Sequence, residues 1–159
     1  MEYISLGSTS LMVSRTAFGA LPVQRVSAMS EAVALIRAAY DGGINFFDTA
    51  RAYTDSEYKL GKAFAQNRRD VVIATKSGAR TGEALARDLE TSLSNLQTDY
   101  VDLYQLHNPS FVPVPGSEDG LYDALLEAKK AGKVRFLGLT NHSRQLVTEA
   151  AQSGLYDAV

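Results

Sequence analysis

Four side chains that can hold or pass a proton stand at or just past the ends of apolar runs. Asn45-Phe46-Phe47 runs into Asp48, and Tyr53 follows five positions later. Val71-Val72-Ile73-Ala74-Thr75 runs into Lys76, and Tyr100-Val101-Asp102-Leu103-Tyr104-Gln105-Leu106 delivers His107. Carboxylate, phenol, ammonium and imidazole are the groups of general acid–base chemistry. A carboxylate just beyond a buried strand is costly to desolvate unless a cation or donor meets it, and Lys76 offers such a cation in the same strand-end setting. Taken singly, each residue has a plainer reading. Asp48 could be a helix N-cap, Tyr53 one surface tyrosine among eight, Lys76 a solvated edge charge, and His107, before Asn108-Pro109, a turn residue. Their recurrence in equivalent places is the signal.

The elements that must position these groups alternate between strand and helix. Tyr3-Ile4 and Leu11-Met12-Val13-Ser14 flank a turn-rich Leu6–Ser10 and predict a hairpin. Thr16–Gly19 reads as a short first strand, followed by a loop around Pro22. Ser30 is the expected N-cap of a helix with Ala32, Val33, Leu35, Ile36, Ala39 and Tyr40 at helical spacing, stopping at Gly42-Gly43. A helix near Asp55–Gln66 follows the Asp48 strand. Another begins at Thr81 with Leu85, Leu89, Leu93 and Leu96 on one stripe. After the His107 strand, a loop from Asn108 to about Glu118 holds Pro109, Pro113 and Pro115, a length of irregular chain more often functional than accidental. A helix with Leu121, Leu125, Leu126 and Ala128 ends at Ala131-Gly132. Val134–Leu139 then delivers Thr140-Asn141, a helix covers Arg144–Gln152 up to Gly154, and Tyr156–Val159 starts another strand.

The alternation implies a parallel sheet with right-handed crossovers. No G-x-G-x-x-G follows the first strand, as it usually does in open dinucleotide-binding sheets, whereas polar residues at the C-terminal ends of successive strands are characteristic of barrel enzymes. The expected fold is therefore α/β: a single domain over residues 1–159 forming a partial (β/α)8 TIM barrel. It has five βα units and the start of a sixth behind an N-terminal hairpin, short of the about 250 residues of a whole barrel.

Composition narrows the function. A content of 45% hydrophobic and 21% charged residues is ordinary for a soluble globular domain. A net charge of -2 and a pI near 5.7 leave no basic field for nucleic acid. With no cysteine and only His107 and His142, neither a thiolate nor a zinc site is expected. The start of the chain lacks the pattern of a signal peptide and no apolar run approaches a membrane span, so a cytoplasmic location is expected. G-x-S-x-G and G-x-x-x-x-G-K-[ST] are absent. Lys129, Lys130 and Lys133 read as a helix C-terminus complementing its dipole.

The sequence resembles the N-terminal part of the aldo-keto reductase family. Gly43–Ala50 with Tyr53, Glu57, Leu60 and Gly61 is similar to that family's first signature, and Thr75-Lys76 to its lysine segment. Leu96–Tyr104 leading into Leu106-His107 resembles its histidine segment, and Gly132–Arg135 through Gly138–Asn141 its fifth strand. The resemblance implies an NADPH- or NADH-dependent reductase of small-molecule aldehydes or ketones. Tyr53 would be the general acid, Lys76 would favour its phenolate and Asp48 would hold Lys76. His107, neutral, would orient the substrate oxygen. Asn141 with Thr140, and Asp48, would face the nicotinamide. In the family, later strands supply most cofactor contacts, which puts stand-alone cofactor binding in doubt. The open edge of the last strand implies a homo-oligomer or a complementing chain. The alternative is a catalytically silent half-barrel that assembles with itself or with such a chain.

Overall fold

The strands at the centre of the molecule bury both faces, and this fixes its layers. The computed structural model covers residues 1–159. It begins with an antiparallel hairpin of β1 (Tyr3–Ser5) and β2 (Met12–Ser14). Five parallel strands follow in sequential order: β3 (Phe18–Gly19), β4 (Phe46–Asp48), β5 (Val72–Ser77), β6 (Val101–His107) and β7 (Val134–Thr140). Helices α1 (Met29–Asp41), α2 (Ser56–Phe64), α3 (Gly82–Leu96) and α4 (Leu121–Lys130) cross over between them, and α5 (Arg144–Ser153) follows β7. The chain end continues the series: Ala158 bridges Gly138 in parallel, with Leu139 N donating to Ala158 O at 3.1 Å. The expected order of strands and helices is present, as an open sheet of five strands rather than a closed barrel.

Local chemistry explains the helix ends. The Thr81 hydroxyl accepts from Ala84 N, and α3 stops at Gln97 in the left-handed conformation (φ 54°). Ser143 caps α5 through Leu146 N, and Gly154 (φ 68°) ends it. Lys129 and Lys130 occupy the last turn of α4, where the dipole favours cations. Helix α1 departs from expectation. Its N-cap is Ala28, without a side-chain cap, and Ser30 lies inside the first turn, because the helix begins at Met29, two residues before a Ser30 cap would start it.

Strand alternation separates two cores. Phe47, Ile73, Tyr104, Leu106, Leu137 and Leu139 face the helices and pack with Leu60, Phe64, Leu85, Leu89 and Leu125. Phe47 packs on Phe64 with ring centroids 4.7 Å apart and planes tilted by 59°. The close approach of α2 to α3 depends on Gly61, where a Cβ would stand 2.5 Å from Asn95 O. On the other face, Leu11 and Val13 of the hairpin pack on Val72, with Leu6, Phe46 and Phe136 beside them. Val72 and Phe46 begin their strands, so the hairpin covers the N-terminal end of the sheet. The C-terminal ends are left to the loops.

Candidate active site

The pleat carries the ionisable groups to one place. Phe47 points at the helix layer, so Asp48 turns to the inner face. Thr75 bonds to Glu57 of α2, so Lys76 turns inward. Tyr104 donates to Leu85 O of α3, so Gln105, and His107 two residues on, turn inward as well. Register completes the placement: Asp48 pairs with Ala74, Lys76 with Gln105, and His107 with Thr140. All of this lies at the C-terminal end of the strands.

Lys76 is 5% exposed. Its ammonium bonds Asp48 Oδ1 at 2.5 Å and Thr49 O at 2.7 Å. A buried ammonium requires such partners, and the expected Asp48–Lys76 pairing is present. Gln105 Nε2 stands 3.5 Å from the other Asp48 oxygen. It fits there because Gly138, its neighbour on β7, has no side chain: a Cβ would lie 2.8 Å from Gln105 Cγ.

Tyr53 sits on the loop between β4 and α2. That loop is stitched to β5 beyond the end of the strand, with Thr49 N donating to Ala74 O and Arg51 N to Lys76 O. The Lys76 ammonium lies 5.1 Å from the centroid of the Tyr53 ring, within cation–π range. His107 meets the same ring edge-on, with centroids 5.9 Å apart at 83°. Burial lowers the His107 pKa below its ordinary value. The Lys76 and His142 charges push the same way, and Asp48 opposes them. A neutral imidazole carries one donor and one acceptor.

Asn141 and Thr140 are already engaged. Asn141 Nδ2 donates to Pro109 O at 2.7 Å and Oδ1 accepts from Ser143 N at 2.8 Å, tying the Asn108–Glu118 loop to the start of α5. One N–H and one oxygen lone pair of the amide remain. That is the complement of a carboxamide, so the residue fits the role the resemblance assigns it. Thr140 donates to Leu106 O.

Gln105 and Glu57 are functional residues beyond the four ionisable groups; Gln105 had a signal in the chain, since a polar residue two positions before His107 in an apolar run must share its face. Glu57 is fully buried and accepts from Thr75 Oγ1 at 2.7 Å, Arg51 Nη1 at 2.8 Å and Asn95 Nδ2 at 3.1 Å. A hollow of about 510 Å³ between α3 and α4 belongs to the helix layer and touches none of these groups; Leu85, Leu89, Ala124 and Ala128 line it. No three His, Cys, Asp or Glu side chains converge as a metal site, and no helix is long and apolar enough to cross a membrane.

The model of the aldo/keto reductase family matches residues 16–159. The chain belongs to the aldo-keto reductase family. It is 38% identical over 154 residues to L-galactose dehydrogenase of Arabidopsis thaliana, covering 88% of this chain and 48% of that protein. It is 33% identical over 162 residues to the aldo-keto reductase YhdN of Bacillus subtilis, covering 90% and 48%. Among solved structures, the holo form of the aldo-keto reductase AKR11C1 from Bacillus halodurans superposes with a TM-score of 0.84 at 29% identity, over 96% of this chain and 54% of that one. The chain thus spans about half the length of the aldo-keto reductases it matches.

Proposed function

We propose that the chain carries the acid–base half of an NAD(P)H-dependent carbonyl reductase. The observation that supports this reading is the convergence of the Asp48–Lys76 pair, Tyr53 and His107 at the C-terminal strand ends. A nicotinamide, when bound, supplies the hydride. Tyr53 holds the proton destined for the carbonyl oxygen. The Lys76 ammonium, 5.1 Å from the centroid of the Tyr53 ring, sets a fixed positive charge beside the phenol. Asp48 fixes Lys76. Neutral His107 donates a hydrogen bond to the substrate oxygen and so orients it. Asn141, with the donor and acceptor it has left, and Thr140 hold the carboxamide. The substrate is an aldehyde or ketone, and the setting is cytoplasmic.

Because the chain spans about half the length of its relatives, a second reading stands beside the first. In it, the half-barrel is silent alone and assembles with itself or a complementing chain along the open sheet edge. One titration separates the two: NADPH, then NADH, added to the purified chain while nicotinamide fluorescence and oligomeric state are followed. Saturable binding that weakens in Asn141→Ala, with carbonyl reduction lost in Tyr53→Phe, is the result expected of a reductase. A folded chain that binds no cofactor up to millimolar concentration overturns stand-alone reduction and leaves the silent half-barrel.

A further inference from the structure

Tyr53 rides on a loop that is strained and yet tightly held. The next residue, Thr54, has φ 41°, a left-handed conformation that a β-branched side chain adopts only when its surroundings impose it. Such strain occurs where a structure fixes a group for use. The question is what imposes it.

Several contacts hold the ends of the loop. Thr49 and Ser56 share a hydrogen bond of 2.9 Å, and Ser56 donates to Ala20 O at 3.0 Å. The Thr49–Ser56 bond spans Tyr53 and reaches Ala20, and a second spanning bond reaches the strand of Lys76 and helix α3. Arg51, two residues before Tyr53, bonds Glu57 Oε2 at 2.8 Å, four residues after it. Glu57 is anchored from both sides, accepting from Thr75, the residue before Lys76, and from Asn95 of α3. Its side chain is wholly buried, whereas Arg51 is 29% exposed. Glu57 thereby ties the loop that carries the phenol to the strand that carries the ammonium.

We propose that Arg51 and Glu57 form a clasp that positions Tyr53 against Lys76 and His107, with neither residue touching the substrate. The catalytic part of this proposal rests on Tyr53 being the proton donor. The mechanical part does not.

Removing the exposed partner is the mildest test, because Glu57 keeps Thr75 and Asn95. In Arg51→Ala, amide exchange at Tyr53 and Ser56 rises about tenfold or more while β6 amides keep their protection. The Overhauser contact between the Tyr53 and His107 rings fades. Carbonyl reduction loses about tenfold or more in kcat with KM nearly unchanged, since a small misplacement of a reacting group suffices. Arg51→Lys recovers part of each effect, as it keeps the charge without the planar fork. If Arg51→Ala does not fold, Glu57→Gln, which keeps the shape and the acceptor for Thr75, reads the same signals. A folded variant with wild-type exchange and an intact Tyr53–His107 contact overturns the clasp. If the wild-type chain reduces no carbonyl, the proton-donor reading fails on its own, and exchange and the ring contact still decide the clasp.

Discussion

Cutting the Asp48–Lys76 pair from either side should have unequal effects, and the inequality follows from burial. The Lys76 side chain is 7% exposed and that of Asp48 33%. Asp48→Ala leaves a largely buried ammonium with only Thr49 O, against 2.5 Å to a carboxylate before. An uncompensated buried charge costs about 3–5 kcal/mol. The surviving bond to Thr49 O brings the expected loss to the lower end, about 3 kcal/mol. Lys76→Met instead removes the charge that was expensive to bury, and Asp48 turns to water. The loss of a charge-assisted bond worth about 1.5–3 kcal/mol is largely offset by the ammonium desolvation of several kcal/mol that no longer opposes folding. The net change should fall within about 1 kcal/mol of zero. For a chain of this size, at about 2–4 °C per kcal/mol, the thermal midpoint falls by roughly 6–12 °C in Asp48→Ala and by no more than about 4 °C in Lys76→Met. Urea unfolding followed by circular dichroism, with slopes compared, measures both. A Lys76→Met variant as unstable as Asp48→Ala, or more so, would refute the reasoning.

Two further outcomes follow from the same contacts. The His107 pKa is lowered in the fold by burial first, so the unfolded chain binds more protons; the resulting stability is complete above about pH 6.5 and is lost as pH falls through that value towards the lowered native one. Wild type should therefore lose stability relative to His107→Gln on acidification, and parallel urea midpoints across that range would contradict it. Asp102 is fully buried and accepts from Arg68, Arg135 and Ile73 N at 2.7–2.9 Å. Asp102→Ala leaves Arg68 with Val71 O and Tyr100 O and should cost about 3 kcal/mol, the lower end for a broken buried pair; a calorimetric loss under about 1 kcal/mol would contradict it.

Much of this protein was legible in the sequence because its signals are local. A run such as Val72–Ala74 can be buried only on both faces, and a Leu85, Leu89, Leu93, Leu96 stripe has one period. Thr81 and Gly154 punctuate helices by their own chemistry. Segment resemblance gave the family for the same reason: it is read from residues close together in the chain. The start of α1 was less legible, because a capping serine is only a propensity and this helix begins at Met29 with no side-chain cap. What the tertiary structure decided are the partnerships between distant positions. Lys59, 1% exposed, finds Val23 O and Val26 O. Asp102 collects two arginines from either side of its own strand in sequence. Glu57 joins Arg51, Thr75 and Asn95, and Gln105 reaches Asp48 across space left by Gly138. A buried charge must be met, and the sequence makes that requirement plain. Which group meets it is set by strand register and helix packing, because those bring together residues tens of positions apart.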